Sequence, residues 1–468
     1  MKKALQNLLF AIITLALLAG SLWYLTSLFE LKGARIKYED FYAQEEDFDV
    51  LFLGTSHVIN AVYPMELWED YGIVSYNMAG HGNKMPTTYW VFENALLETT
   101  PKLVVIDCLK ISQDYYASYL FSQVHISMDA IPLSSTKIQA IKELVDQEET
   151  LLYAIEHPET EAREEISLLW DFSVYHARWE ELNRTDFEIE SSPEKGAEAR
   201  VAVTQPRSVT EVSPSERVDV NVRGVEYLKK IIEECQEAGI EVLLTYLPFP
   251  ASMTEQREAY TIADIAEEYG VNYVNFLEMD VVNYYTDMYD EDSHLNPSGA
   301  HKITAYLGEY ISEHYDLPDR REDEAYAFWN EDFTEYREYM EGLLLSQTSL
   351  DRYLMLLSDD SYDALISIED ASLADDLIYR RLLLNIGVSY SEIKSGKTVF
   401  AVTCGGEDVT SYASVGDVED VQLQQKMLSF TSETEAAIRI KVYNHATGQL
   451  IDERNFNRVD TAVQYVAQ

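Results

Sequence analysis

Short apolar runs alternate with stretches of helical periodicity over the first two thirds of the chain, and this alternation is the strongest constraint on its fold. The runs that predict buried strands lie at 50–53, 74–77, 101–108, 240–248 and 271–276. Patterns typical of amphipathic helices lie between them, at 89–97, 225–239 and 262–269. Strands separated by helices of this length pair in parallel, so the sequence predicts an α/β fold whose parallel sheet is flanked by helices.

The chain begins with an apolar stretch that favours a membrane anchor. Lys2 and Lys3 precede a mostly apolar run from Leu8 to Phe29, about the length that a helix needs to cross a bilayer. The positive-inside rule then predicts a single-pass protein of the cell membrane, with a cytoplasmic N-terminus and everything after Glu30 outside. A cleaved signal peptide is the alternative. We favour the uncleaved anchor because the run continues past "LLAGS" without a clear small-x-small cleavage site.

Composition excludes several classes of function. The chain has 82 acidic and 35 basic residues, a net charge of −47, which predicts repulsion of nucleic acid and argues against a strongly anionic polymer as ligand. Cys108, Cys235 and Cys404 are widely separated and form no metal-binding pattern, so neither a metal nor another cofactor is predicted. We interpret His57 and His81 as loop residues that line a pocket, and His301 as a surface or packing histidine.

Changes of pattern divide the chain into segments. Residues 1–32 form a cytoplasmic tip and transmembrane anchor, and 33–320 form the α/β domain. Within this domain the alternation breaks at 112–222, which we interpret as an insertion that covers one side of the functional edge or, alternatively, as a poorly ordered loop. A charged helical connector is predicted at 321–348. A small α/β accessory domain is predicted at 349–468.

Two short segments carry residues suited to acyl transfer. In "DVLFLGTSH", 49–57, an apolar strand ends in a sharp turn that presents Ser56 at the C-terminal edge of the sheet, where α/β folds place their ligands. In "DEDSHLNPSGA", 290–300, Asp292 stands two positions before His294. The three side chains predict a nucleophile, a general base and a carboxylate that orients the base. Taken singly, each segment is equally typical of a helix N-cap.

These motifs resemble the SGNH/GDSL hydrolase superfamily. "GTSH" stands in the place of its first block, "YNMAGHGN" (76–83) of its second and "DSHLNPSGA" of its last. The Asp-x-His spacing is similar to that of its membrane-anchored O-acyltransferase branch, which includes alginate O-acetylation proteins and the D-alanyl transfer protein. The resemblance implies an oxyanion donor at Gly80 or Gly82. The asparagine of the third block is missing, since Leu109 and Lys110 follow the strand, and Asn83 is the substitute that we predict.

The same resemblance implies extracytoplasmic O-acetylation of a cell-envelope polysaccharide through an acyl-serine. It also implies a multipass membrane acyltransferase as the partner that supplies the acyl group. An esterase or deacetylase of the same fold and a non-catalytic glycan-binding scaffold are the alternatives. The region after residue 349 loosely resembles the interleukin-like EMT inducer domain, through "ALISIEDASLADDLIYRRLLLNIGV" and "KTVFAVTCGG", and is interpreted as a domain for binding or assembly.

Overall fold

The computed structural model describes residues 2–30, 32–112, 124–145, 164–170, 172–187, 192–220, 222–291, 293–406, 408–414, 421–423, 426–428, 436–459 and 462–465. The helices are α1 (Lys2–Phe29), α2 (Lys32–Ala43), α3 (Ser56–Ala61), α4 (Pro64–Tyr71), α5 (Met85–Ala95), α6 (Ser135–Val145), α7 (Glu164–Leu169), α8 (Phe172–Tyr175), α9 (Arg184–Phe187), α10 (Val222–Ala238), α11 (Met253–Tyr269), α12 (Pro297–His314), α13 (Trp329–Ser346), α14 (Leu350–Leu356), α15 (Leu377–Asn385) and α16 (Tyr390–Lys394). The strands are β1 (Val50–Leu53), β2 (Ser75–Asn77), β3 (Leu103–Asp107), β4 (Glu241–Tyr246), β5 (Asn272–Asn275), β6 (Tyr362–Ile368), β7 (Val399–Thr403), β8 (Val409–Tyr412), β9 (Val421–Leu423), β10 (Lys426–Leu428), β11 (Ile438–Asn444), β12 (Leu450–Val459) and β13 (Ala462–Tyr465).

The first sheet has five parallel strands in the order β2-β1-β3-β4-β5. Successive side chains of a strand point to opposite faces, so a strand covered on both faces is apolar throughout. β1 shows this directly: Leu51 and Leu53 join one core, and Val50 and Phe52 join the other. Helices α5, α6, α10 and α11 contribute to the first core, and α3, α4 and α12 to the second. The predicted α/β class with a helix-flanked parallel sheet is therefore confirmed.

Within the predicted insertion, the described residues form short helices rather than long ones. The sequence pattern from Glu164 to Leu182 predicts one helix, but the structure places α7, α8 and a 3-10 turn, His176–Glu180, over the same stretch. The break falls at Trp170, where the helical pattern is interrupted. Residues 113–123 and 146–163 of the insertion lie outside the described residues.

A second sheet occupies the C-terminal part of the chain. Its six antiparallel strands follow the order β13-β12-β11-β6-β7-β8. The apolar side chains of this sheet and of α14 and α15 form a core of their own, which includes Leu354, Ile366, Leu382 and Ile440. We refer to the described residues from 349 onward as the C-terminal unit. The domain boundaries predicted from the sequence remain predictions.

The N-terminal helix α1 projects from the body. Lys3–Phe29 has a mean hydropathy of 2.2 and no buried residues in its most apolar window, so it is long and apolar enough to be a membrane span or a signal sequence. The guanidinium of Arg178 donates hydrogen bonds to the carbonyl groups of Phe29 (2.5 Å) and Glu30 (2.7 Å) at the C-terminal end of this helix. These carbonyls have no partner within the helix, so Arg178 caps its end.

Candidate active site

The turn between β1 and α3 presents Ser56 at the C-terminal edge of the first sheet. Gly54 adopts a φ of 145°, and a Cβ atom there would lie 2.8 Å from Cγ2 of Val58, so this turn requires glycine. The Thr55 side chain then accepts a hydrogen bond from the His57 N–H as the N-cap of α3. Because Thr55 caps the helix, the hydroxyl of Ser56 is left for another partner.

That partner is His294. The Ser56 Oγ lies 2.7 Å from Nε2 of His294, although 238 residues separate the two in the chain. Ser56 is 8% exposed. A buried serine hydroxyl hydrogen-bonded to an imidazole nitrogen is the geometry in which a histidine can remove the serine proton. The structure thus brings together the two residues for which the sequence predicts the nucleophile and the base.

Asp290 provides the carboxylate that orients His294, in the place that the sequence interpretation gave to Asp292. The Oδ2 of Asp290 lies 2.5 Å from Nδ1 of His294, so the other side of the ring is occupied. Asp292 itself lies outside the described residues, so its predicted role stays a prediction. The Asp290 carboxylate is held by a turn: its Oδ1 accepts the N–H groups of Ser293 (2.7 Å) and His294 (3.1 Å), which folds the chain back over this carboxylate.

The electrostatics of Asp290 fit this arrangement. Its partial burial opposes ionisation, but hydrogen bonds from His294 and Ser293 outweigh that effect and hold the pKa of the carboxyl well below its usual value. Asp290 therefore carries a negative charge at neutral pH. A fixed negative charge on Nδ1 stabilises the imidazolium that forms when His294 accepts a proton at Nε2.

The second predicted block lies beside the Ser56 turn, and its two glycines differ in whether their N–H group already has an acceptor. The Gly80 N–H donates to the Gly54 carbonyl (3.1 Å), so this donor is already engaged. Gly82 has a φ of 67°, and within the described residues its N–H donates to no backbone carbonyl. Of the two glycines, Gly82 therefore has the freer donor. The oxyanion role stays a prediction for both.

Asn83 is buried, with its amide oriented by one hydrogen bond. The Ser127 hydroxyl donates to Oδ1 of Asn83 (2.6 Å), and Nδ2 of Asn83 is buried without a hydrogen-bond partner in the described part of the protein. A Cβ atom on Gly80 would lie 2.3 Å from this Nδ2, which explains the glycine there. A buried, unpaired amide donor costs free energy unless a ligand accepts from it. This fits the predicted use of Asn83 as an oxyanion donor.

His57 packs directly behind the histidine of the pair. Its ring centroid lies 5.0 Å from that of Phe249 and 5.3 Å from that of His294. Burial lowers the pKa of His57 well below its usual value, and the neighbouring His294 and Lys110 lower it further. His57 is therefore neutral at neutral pH. A neutral ring at this position does not oppose the charge that His294 gains on accepting a proton.

Two residues at the C-terminal end of β3 belong to the site's surroundings and were not predicted: Asp107, the last residue of the strand, and Lys110, which follows it. Asp107 is fully buried, with one carboxyl oxygen accepting the Leu247 N–H (2.9 Å) and the other without a partner in the described chain. Burial raises its pKa to about 7. Lys110 has a φ of 68°, a strained value for a residue other than glycine. The sequence signal was present in both cases, because Asp107 lies at the end of the predicted strand 101–108 and Lys110 follows that strand at the functional edge.

Two cavities flank this edge. The first, of 460 Å³, lies between α2 and the start of α3 and is lined by Lys37, Ile59, Gly80, His81 and Glu198, among others. Burial lowers the pKa of Lys37 to about 7. His81 therefore lines a pocket as expected, and it pairs with Glu198 at 3.4 Å. The second, of 710 Å³, is an open groove next to Phe249, formed mainly by the segment 277–285 that follows β5.

His301 does not lie on the surface. Its side chain is 12% exposed and packs between Glu66 (2.6 Å from Nδ1) and Asp359 (3.9 Å from Nε2), which is the packing role of the two that the sequence predicts. Burial opposes protonation, but the two carboxylates outweigh it and raise the pKa of His301 to about 9. Among the described residues, no group of three or more His, Cys, Asp or Glu side chains could hold a metal ion. All three cysteines are buried free thiols.

Comparisons with known proteins give the chain no family. No protein-family model and no curated protein matches it. Among solved structures it is similar to a presumptive acylhydrolase from Bacteroides fragilis, with 12% identity, a TM-score of 0.28, and coverage of 59% of this chain and 94% of that one. It is also similar to a GDSL-like lipase from Bacteroides thetaiotaomicron, with 11% identity, a TM-score of 0.28, and coverage of 60% and 99%. At these values the likeness carries no functional argument, so the inferences below rest on the geometry of the site.

Proposed function

We propose that this chain is a serine-dependent acyl-transfer enzyme that forms an acyl-Ser56 intermediate. The observation that carries the proposal is the continuous set of contacts from Ser56 Oγ to His294 Nε2 (2.7 Å) and from His294 Nδ1 to Asp290 Oδ2 (2.5 Å). A helix N-cap does not need this set, because Thr55 already caps α3. A non-catalytic scaffold would have no reason to keep a buried serine in hydrogen-bond contact with a histidine that a carboxylate orients.

In the first step, Ser56 Oγ attacks the carbonyl carbon of an acyl donor while its proton moves to Nε2 of His294. Asp290 stabilises the imidazolium through Nδ1. The tetrahedral intermediate carries its negative charge on the former carbonyl oxygen, for which Asn83 Nδ2 and the Gly82 N–H are the proposed donors. The intermediate collapses as the bond to the leaving group breaks, and His294 returns the proton to that group. The product is the Ser56 ester.

In the second step, a hydroxyl group attacks the acyl-Ser56 ester. His294 removes the proton of this hydroxyl, the new ester forms, and the proton returns to Ser56 Oγ. A sugar hydroxyl gives O-acylation of a glycan, and water gives hydrolysis. The two outcomes use the same residues, so the acceptor alone separates an acyltransferase from an esterase or deacetylase.

We take the acceptor to be a cell-envelope polysaccharide and the acyl group to be acetyl. Two features support a reaction at the membrane: the apolar helix α1, and its capping by Arg178, which fastens its end to the body. A multipass membrane acyltransferase would bring the acyl group to Ser56 from the other side of the bilayer. The net charge of −47 favours a neutral rather than a strongly anionic glycan.

The test is the mass of the full chain in detergent after incubation with p-nitrophenyl acetate. We expect one added acetyl group on the unchanged protein, none on Ser56→Ala, and slow formation on His294→Ala. Ser213→Ala, a serine in an exposed turn, is the matched control and should acetylate normally. Absence of any adduct and of ester turnover would contradict the proposal and favour the scaffold.

Acceptors then separate transfer from hydrolysis. Neutral oligosaccharides and oligouronates are added to the acetyl-enzyme, and acetylated sugar is measured against free acetate. Transfer to a neutral oligosaccharide in excess of acetate release would support the acyltransferase. Acetate release unchanged by any sugar would assign the chain as an esterase.

A further inference from the structure

The segment that carries His294 is a short hairpin, which we name the histidine hairpin (residues 287–291 and 293–296). Met288 and Leu295 form an antiparallel bridge, and the Tyr289 N–H donates to the His294 carbonyl (2.8 Å). At its base, the Asn296 N–H donates to the Asp287 carbonyl (2.9 Å). The position of His294 therefore depends on what holds the base of this hairpin.

The side chain of Asp287 organises that base. It is 0% exposed, and its Oδ1 accepts hydrogen bonds from the hydroxyls of Thr286 (2.9 Å) and Ser298 (2.8 Å). Its Oδ2 lies 2.7 Å from Nζ of Lys302 and also accepts the Asn283 N–H (2.8 Å). A buried carboxylate with this many donors fixes the surrounding backbone, because each lost donor would leave a buried charge unpaired.

The C-terminal unit supplies the outer partner of this cluster. Asn385, the last residue of α15, accepts from Lys302 Nζ through Oδ1 (2.9 Å). It also donates from Nδ2 to Ser298 Oγ (2.8 Å). The Asn385 side chain thus contacts two of the residues that donate to Asp287, Ser298 and Lys302. Its two bonds require a single amide orientation, so Asn385 constrains the position of Ser298 and Lys302 relative to each other.

A second contact from α15 reaches Tyr285, which lies just before the histidine hairpin in the chain. The Arg381 guanidinium lies 3.6 Å from the centroid of the Tyr285 ring, well within the range of a cation–π interaction. A third contact lies further along α12, where Asp359 of the C-terminal unit pairs with His301 (3.9 Å). The same carboxylate pairs with Arg337 of α13 (2.7 Å). The C-terminal unit therefore touches the sequence around His294 at three separate places.

We infer that the C-terminal unit is a positioning element for the catalytic histidine: Asn385 and Arg381 brace the base of the histidine hairpin and so set the Ser56–His294 distance. Neither residue touches the reacting atoms, so both are positioning residues. This role rests on the proposed function only for its chemical consequence. The bracing itself concerns only the stability of the hairpin, so it can be measured without any substrate.

The experiment compares the full chain in detergent with Asn385→Ala and Arg381→Ala. Hydrogen exchange of residues 283–298 reports bracing, and the rate of Ser56 labelling by a fluorophosphonate probe reports positioning. In both variants we expect exchange at Tyr289 and Asn296 to rise about tenfold or more, since their N–H groups hold the hairpin together. The labelling rate should fall about tenfold or more, while its final extent stays unchanged.

Two further variants separate positioning from general damage. Leu384→Ala, on the same helix and 61% exposed, is the matched control and should leave both readouts unchanged. Arg381→Lys keeps a cation over Tyr285 and should restore most of the labelling rate. If either alanine variant loses the exchange protection of β6 and β11, Tyr285→Leu tests the bracing from the other side, because it removes the Arg381 contact at a residue 41% exposed.

Hairpin exchange within about twofold of the unchanged protein in every variant would overturn the inference. So would a labelling rate that is unaffected while the hairpin exchanges faster. If the unchanged protein is not labelled at all but the hairpin still depends on Asn385, the proposed function fails and the bracing stands. If labelling is rapid and the hairpin is indifferent to Asn385, the proposed function stands alone.

Discussion

The Asp290 carboxylate makes three of the hydrogen bonds that determine where the His294 ring points. Its Oδ1 receives two backbone N–H groups, and its Oδ2 receives Nδ1 of the ring. The backbone bonds fix the carboxylate, and the carboxylate then fixes the ring. Because this residue stands four positions before the histidine, it is separable by mutation from Asp292, which stands two positions before it.

Replacing Asp290 by asparagine should slow acetylation of Ser56 by on the order of 100- to 10,000-fold, because the imidazolium loses its counter-charge and the ring its tautomer. Asp292→Asn removes the same charge two positions away and is the matched control. We expect it to stay within about threefold of the unchanged protein. The rate of acetyl-Ser56 formation is the measurement. A large effect of Asp292→Asn with none of Asp290→Asn would reverse the assignment.

Asp107 predicts a pH dependence of stability. Burial raises its pKa from 3.8 to about 7, so between these values the folded chain holds a proton that the unfolded chain has lost. Since the folded state binds more protons, this group lowers the free energy of unfolding as the pH rises from about 4 to 7.

Asp107→Asn removes that titration and keeps an oxygen for the Leu247 N–H. Relative to the unchanged protein, the variant should gain on the order of 1–3 kcal/mol in free energy of unfolding between pH 5 and pH 8. Denaturant unfolding at a series of pH values measures the difference. Parallel pH profiles for the two proteins would show that Asp107 does not titrate in this range.

At the scale of elements, the position of Ser56 depends on β1, α3 and the turn between them. The turn depends on Gly54, whose φ of 145° and close neighbours leave no space for a side chain. Gly54→Ala should cost about 1–3 kcal/mol of stability through backbone strain alone, and should also displace Ser56. We expect a lower melting temperature together with slower Ser56 acetylation.

Gly342→Ala is the control for this prediction. Gly342 lies inside α13, and a Cβ atom there meets nothing within 4 Å. Alanine is the better helix former, so the substitution should stabilise the protein by up to about 1 kcal/mol and leave acetylation unchanged. Equal melting temperatures for the two variants would contradict the role given to the Gly54 turn.

Elements with a clear period or a continuous apolar run were predictable from the sequence. The predicted strand at 50–53 has the bounds that the structure gives to β1, and the predicted strand at 101–108 contains β3. Asn296, followed by Pro297, marks the start of α12 as expected, because its side chain caps the helix and proline suits the first turn. These features depend on residues that are close together in the chain, so they can be predicted from a single sequence.

Features that depend on distant contacts were not predictable. β12 carries the charged and polar run "DERN", which is typical of a loop, but its pairing with β11 and β13 makes this segment a strand. A surface role and a packing role were both predicted for His301, because the sequence does not show that Glu66 and Asp359, from distant segments, lie against its ring. Each of these outcomes is decided by tertiary partners.

At the scale of the whole molecule, the position of α1 decides where the protein works. If α1 is an anchor, the full chain stays in the membrane fraction after carbonate extraction, and its intact mass includes residues 2–29. If α1 is a signal peptide, the mature protein is shorter and leaves the membrane. Protease added outside intact cells from which the wall has been removed should digest the body of the anchored form, since the positive-inside rule predicts that it lies outside the cytoplasm.

Deletion of residues 2–29 provides the control. The shortened chain should remain in the soluble fraction of the same extraction, because α1 is the one span long and apolar enough among the described residues. Retention of the shortened chain in the membrane would instead point to attachment through a partner.

The cap that Arg178 places on the end of α1 has a consequence for how the enzyme meets its substrates. Helix α1 ends at Phe29 and α2 begins at Lys32, so little chain is free to act as a tether, and Arg178 holds the end of α1 against the body. With α1 in a bilayer, Ser56 would work at a nearly constant height above the lipid. Its encounters would then be a search in two dimensions, in which molecules attached to the same membrane reach a far higher effective concentration than those in solution.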